Sequence, residues 1–373
     1  MRLDASGQPA HTRLLELELF QHTPDTFSLR SQILDLRKMG FVPMGGSIQN
    51  AGVIHQMTID ADVDATTRTI RSLSVAQPRV AFEATAETGG ECCRDPSDRL
   101  RALEGQRLDE AFARRVSRVF GGGLGCSHLL TLGQTIGRAL PFALEAEAGR
   151  RERRGARRAP GERLFKRSVY IDGLSEPDAC AMELVVQQCD LHERPLAQVA
   201  DPLERLERQD EVRVHATVDM VDFAMTLHTL EGAERSRGPA TMASARWQTH
   251  SAALAPLVGR RVMPGLGGAL FGLLGERSER RLLLDALLHL GPGFLQCIAA
   301  LSDDWSERPA RGSPVASMGG REDACYMWRS DGVLARRRQR FLEEGAAATR
   351  PVAASAPPAP AADAPLPGAR DDA

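Results

Sequence analysis

A constant shift of 154 residues lays one long stretch of this chain on another, and no other feature restricts its fold as much. Under that shift Leu103-Glu104-Gly105-Gln106-Arg107 falls on Leu257-Val258-Gly259-Arg260-Arg261, and Val119-Phe120-Gly121 on Leu273-Leu274-Gly275. Leu129, Leu130, Ile136 and Gly137 fall on Leu283, Leu284, Leu290 and Gly291. Upstream, Arg13 meets Arg167 and, with one inserted residue, Asp35 meets Asp190. Apolar positions recurring at one spacing over so long a stretch mark a tandem duplication.

Each block reads as strands first and helices afterwards. Leu14–Phe20, Thr26–Leu36 and Val53–Ile70 have β character in the first, and Ser168–Ile171, Ala181–Cys189 and Glu211–Thr229 in the second. The alternation of Met57, Ile59, Ala61 and Val63 suits half-buried antiparallel strands. Ser97–Leu103, Asp109–Phe120 and Leu129–Ala143 follow at helical spacing, and the run Gly121-Gly122-Gly123 should end the middle one. The expected fold is α+β: two tandem repeats, each an antiparallel sheet followed by a helical pair. Leu129, Leu130, Ile136, Leu283, Leu284 and Leu290 should be buried.

The boundaries follow from composition. Residues 11–147 form the first repeat, 148–163 an Arg-rich linker or solvated helix extension, and 164–302 the second, degenerate repeat. Residues 303–345 are a C-terminal extension, and the Ala/Pro-rich tail 346–373 cannot bury enough surface to offset chain entropy and should be disordered. Forty-seven basic against forty-nine acidic side chains argue against a globally basic nucleic-acid binder. The N-terminus lacks a signal-peptide core, and the apolar stretch from Leu282 to Leu301 is interrupted by Asp285, His289, Gly291 and Pro292, so no membrane partner is expected. Seven scattered cysteines suit a reduced, cytoplasmic protein rather than a disulfide framework.

The common catalytic motifs are absent: no phosphate-binding loop, no Cys-x-x-Cys, no His-Glu-x-x-His. The segment Gly125-Cys126-Ser127-His128-Leu129 is the most pointed feature. It places Cys126 and His128 at a helix start, where free N–H groups favour a thiolate. Its plain alternative is a cysteine packed as a small hydrophobe, with His128 facing solvent. The duplication bears on that choice. The counterparts of Cys126 and His128 are Arg280 and Leu282, and Cys93 becomes Trp247, while His55 matches His215 only loosely. The Cys/His set is therefore dispensable to the fold, whereas Arg13/Arg167 and Asp35/Asp190 read as structural ion pairs.

His11-Thr12-Arg13, Asp35, Ile54-His55-Gln56-Met57, Cys93 ahead of Leu103-Glu104-Gly105, and Gly125-Cys126-Ser127-His128-Leu129 together resemble a bacterial family known as domain of unknown function 2889. The family usually carries His-Asp-Met where His55-Gln56-Met57 stands here. The resemblance implies no activity. Three readings follow from the residues. The foremost is a non-catalytic binding or scaffold protein whose repeats pack face to face as a pseudo-dimer. The second is a metal-binding protein or metalloenzyme using His55, Cys93, Cys126 and His128, two nitrogen and two sulfur donors that suit zinc or iron. The third is a thiol enzyme with Cys126 as nucleophile and His55 or His128 as its base.

Overall fold

Period-two alternation extends the chain from its first described residues. The computed structural model describes residues 7–40, 42–44, 47–155, 158–176, 181–220, 225–275, 278–301 and 322–348. Gln8–Thr23 (β1) and Thr26–Arg37 (β2) form a hairpin, followed by Val42–Met44 (β3), Ser47–Gln49 (β4), Gly52–Asp64 (β5) and Ile70–Arg79 (β6). Helices Phe112–Phe120 (α1) and Ser127–Arg154 (α2) complete the first half. In the second, Arg163–Glu176 (β7), Ala181–Glu193 (β8), Leu206–Asp219 (β9), Thr226–Arg237 (β10) and Gln248–Thr249 (β11) precede the helices Ser251–Leu254 (α3), Leu266–Leu274 (α4), Arg281–Leu287 (α5) and Leu290–Ala300 (α6). Val333–Ala348 (α7) lies near the end.

All the described strands except the small β3–β4 pair join one nine-stranded antiparallel sheet, in the order β11-β10-β9-β8-β7-β1-β2-β5-β6. Its centre is the pairing of β1 with β7, where Leu15 faces Val169 and Leu17 faces Arg167. The halves therefore join edge to edge, not face to face as expected. Continuing the sheet removes two exposed edges at once, which stacking two separate sheets would leave open.

One face of the sheet is covered. Along β1 the buried positions His11, Arg13, Leu15, Leu17 and Leu19 alternate with half-exposed Thr12, Leu14, Glu16 and Glu18. Helix α2 lies over β2 and β5, α6 over β1 and β7, and α5 over β8 to β10. Of the six repeated helix positions, Leu129, Ile136, Leu283, Leu284 and Leu290 are buried in one continuous core, while Leu130 only packs against its edge. The stretch Arg281–Ala300 is apolar and long enough to span a membrane, yet 61% of its most apolar window is buried inside the protein. It serves here as the core pair α5–α6.

Several sequence boundaries move for physical reasons. Val53–Ile70 is not one strand, because Asp64 Oδ1 accepts the N–H groups of Thr66 and Thr67, and Arg68 takes φ 60°, turning the chain from β5 into β6. Glu211–Thr229 likewise divides between β9 and β10. Ser97–Leu103 forms a 3₁₀ helix, and Gly121 caps α1. The Arg-rich stretch continues α2 to Arg154, but it is not simply solvated. Arg150, Arg151 and Arg158 converge on Glu147 at 2.5, 3.1 and 3.0 Å, and Arg150, Arg158 and Glu147 are buried. Residue 302, residues 303–321 of the extension and 349–373 of the tail lie outside the described residues, while 346–348, expected to be disordered, form the last turn of α7.

Candidate metal centre

The same alternation that buries Leu15 and Leu17 puts His11 and Arg13 on the inner face of β1. In register, Arg13 stands opposite Asp35 of β2, and Asp35 stands opposite His55 of β5. Three adjacent strands thus bring a guanidinium, a carboxylate and an imidazole to one row. The fourth member comes from above. Gly125 lies flat on Phe120, where an added Cβ would sit 2.4 Å from the ring, and this close approach sets Cys126 as the residue that starts α2. His128 then points from the first turn onto the sheet.

Asp35 is wholly buried and is the hub. Arg13 donates to both of its oxygens, Nε to Oδ1 at 2.7 Å and Nη2 to Oδ2 at 2.9 Å. His55 Nδ1 and His128 Nε2 each lie 3.1 Å from the same Oδ2, and His11 Nε2 lies 3.4 Å from Oδ1. The His55 and His128 rings stack with centroids 3.7 Å apart. Among the described residues, Asp35, His55 and His128 form the one group of three or more potential metal donors all within 4.8 Å of one another. The His128 Nε2–Asp35 Oδ2 contact is close but off the best hydrogen-bond alignment, and both nitrogens of the buried His11 have no hydrogen-bond partner. Buried polar atoms in that condition are rare and point to a missing one.

Electrostatics keep His128 and His11 neutral. Burial, reinforced by His55, lowers the His128 pKa to about 3, and burial lowers that of His11 to about 4 although Asp35 opposes it. Burial works against a charged Asp35, but Arg13, His128 and His55 outweigh it and hold the carboxyl well below its usual range. A neutral imidazole is the form that ligates metals.

The sequence-selected residues meet only in part. His55 and His128 come together, and Cys126 Sγ lies 3.8 Å from His128 Nδ1 and from Met57 Sδ. Cys93 is buried in a second apolar cluster with Phe82, Met327 and Trp328, near enough to Cys126 for their thiols to interact electrostatically, and neither cysteine belongs to the close Asp35–His55–His128 group. His128 is 6% exposed, so its expected solvent-facing alternative does not hold. Nor does the helix start govern Cys126. Burial pushes its thiol up to about 12, outweighing the N–H groups of Leu129 and His128 that favour a thiolate. The thiol is therefore protonated in the free protein.

The structure adds three residues to the site. Asp35, read only as structural, is its hub. His11 shares a face with Arg13 at i and i+2, a signal the alternation of β1 already carried. Cys325 has no such signal. Its segment is tied to the Cys126 turn by the Tyr326 N–H donating to Gly125 C=O at 2.8 Å, and Cys325 packs against the cluster holding Cys93. In the second half Asp190 pairs with Arg167 as Asp35 does with Arg13, but the residue opposite it is Asp210. Asp210, not His215, therefore stands where His55 stands. His215 lies further along β9, 3.8 Å from Glu183.

Fold and site together define an α+β protein with a single-faced antiparallel sheet and a buried Asp/His/Cys cluster beneath its helices. Residues 11–140 match the family described as "Protein of unknown function (DUF2889)", a stretch that opens on His11 and contains Arg13, Asp35, His55, Cys93, Cys126 and His128. No curated protein and no solved structure matches the chain.

Proposed function

We propose that the first half binds a transition-metal ion, zinc or iron, through His55, His128, Cys126 and Cys93, with Asp35 and Arg13 orienting the rings. The carrying observation is the pair of stacked imidazoles, each with one nitrogen 3.1 Å from Asp35 Oδ2. A carboxylate that takes one nitrogen of each ring fixes the ring and leaves the other nitrogen for the ion. On His128 that other nitrogen is Nδ1, the one beside Cys126. Charge supports the same division. Arg13 already neutralises Asp35, so a dication held by Asp35 and two neutral rings would leave about two uncompensated buried charges, which is costly. Two thiolates cancel it, and metal binding is what drives their deprotonation.

The second half is a duplicated copy retained for its framework, a reading supported by the recurring element order and by the two Arg–Asp pairs in equivalent register. It supplies the scaffold role, and the unpaired thiols suit a reducing, cytoplasmic setting. Metal analysis of the purified chain tests the proposal. A single equivalent is expected, lost in both His128→Ala and Cys126→Ser, while Asp35→Asn lowers affinity by about 10–100-fold as an orienting residue does. A folded wild-type chain that takes up neither zinc nor iron overturns it, as does undiminished metal in both variants.

A further inference from the structure

A second cavity lies where the helices of the two halves meet, well apart in character from the Asp35 cluster. It encloses about 340 Å³ between α1, α2, α4, α5 and α6, within the size range of small-molecule sites. Its floor carries an ion network. Arg167 is paired with Asp190, and it also donates to Asp285 Oδ2 at 2.9 Å. Arg138 Nε donates to Asp285 Oδ1 at 2.6 Å. Both oxygens of Asp285 are thus occupied before Arg281 is reached, and Arg281 Nη1 stands 3.6 Å from one of them. Glu110 and Arg114, also in the lining, balance each other in charge. Counted together with Asp190, the arginines at the cavity exceed the carboxylates by one, and of the three that share Asp285, Arg281 holds it at the greatest distance.

Arg281 is the most weakly paired of the three. Its side chain is 15% exposed, and burial together with Arg167 lowers its pKa against the pull of Asp285, Asp190 and Asp210. Its nearest carboxylate oxygen is one that Arg167 already holds, and its Nη1 otherwise donates to the Arg138 carbonyl at 3.5 Å, so a closer anion would pair with it better. Its guanidinium lies 3.7 Å from the Phe142 ring centroid, and that of Arg138 lies 5.4 Å from Phe271, so both are held by aromatic faces at the cavity. The hydroxyls nearby are engaged: Thr131 and Thr135 donate to carbonyls of their own helix, and Gln134 donates to Ser117. Charge recognition is left to the arginines, and the rest of the wall, with Leu284, Leu288 and the two phenylalanines, is apolar.

We propose that this cavity binds a small organic monocarboxylate with an apolar body, its carboxylate paired with Arg281 beside Arg138. One excess charge matches a monoanion, and a planar carboxylate fits the guanidinium fork. A phosphate dianion would reverse the imbalance rather than cancel it.

Calorimetric titration of the full chain with benzoate, benzamide and inorganic phosphate tests the assignment. Benzoate is expected to bind, with benzamide at least about tenfold weaker and phosphate without measurable heat. Arg281→Gln and Arg138→Gln should each weaken benzoate by about tenfold or more, with circular dichroism reporting whether each variant folds. The wild-type comparison decides the matter even if both variants fail to fold. No benzoate binding, equal binding of benzamide, or binding of phosphate in preference to benzoate each overturns the proposal.

Discussion

Asp35 and Asp190 occupy equivalent places in the two halves and live in opposite surroundings. Each is buried, and each receives two hydrogen bonds from the arginine opposite it on the neighbouring strand. Around Asp35 the next residues are imidazoles and a thiol. Around Asp190 they are charged: Asp210, taken by Arg208 at 2.9 Å, and Asp285, shared by Arg138, Arg167 and Arg281. The Arg–Asp pair is thus what the sheet requires at its inner face, since the strand register alone creates it. The groups gathered round it are free to differ, and in this chain one set offers metal donors while the other forms an ion network.

The largest expected effect lies in that shared pair. Arg13→Met leaves Asp35 buried with no full positive charge beside it and should cost about 3–5 kcal/mol, the usual penalty for breaking a buried pair. Arg167→Met should cost a similar amount, because Asp190 loses its bidentate partner even though Asp285 keeps Arg138. Urea unfolding of both variants measures this. A loss under about 1 kcal/mol in either would show that its pair is not a framework element.

The helix cores offer a slightly smaller test of equivalence. Leu129→Ala and Leu283→Ala, at 0% exposure in both halves, should each cost about 2–5 kcal/mol, whereas Leu130→Ala, at the core edge, should cost clearly less. A small loss at Leu283 beside a large one at Leu129 would break the parallel between α2 and α5.

Much of the frame was legible before any coordinates. The β1, β2 and β8 runs and the α1 and α2 helices follow from apolar periods of two and of about three and a half, which report directly on a buried face. The Arg13–Asp35 and Arg167–Asp190 pairs are visible in the sequence because each half carries an arginine and an aspartate at matching spacing. Less legible was anything set by register between distant strands. His55 faces Asp35 only because β2 and β5 pair with one particular alignment, and the same alignment selects Asp210 over His215. The edge-to-edge join and the approach of Cys325 rest on contacts across more than a hundred residues, for which no local period exists.

Acid sensitivity should fall on both halves, by about 2 kcal/mol for each fully buried histidine between pH 7 and pH 5. His289, in the second half and free of any proposed metal role, isolates the effect. Burial, helped by Arg167, lowers its pKa to about 3. The folded chain therefore keeps it neutral while the unfolded chain protonates it below about 6.5. More protons are then bound unfolded than folded, so stability is full above that value and declines as the pH falls toward 3. His289→Gln should flatten the difference in urea midpoint between pH 7 and pH 5. An unchanged slope would mean that His289 is protonated in the folded state.

The smallest expected effect separates the three thiols at the first site. Cys325 starts the 3₁₀ turn Tyr326–Trp328, is only half-buried, and reaches the site through a segment that Arg329 also fastens to Glu91. Cys93 and Cys126 are buried in the same domain as the two rings. Replacing Cys325 by serine removes a packed sulfur but no donor of the proposed set. Metal content should stay at the wild-type level, with a stability loss of about 1 kcal/mol or less, the lower end for polar substitution at a partly buried site. Cys93→Ser, by contrast, should lose metal as Cys126→Ser does. Metal analysis of the two variants side by side gives the answer. Loss of metal in Cys325→Ser with retention in Cys93→Ser would move the fourth ligand from the first half to the C-terminal segment, and the site would then belong to the whole chain rather than to one of its two halves.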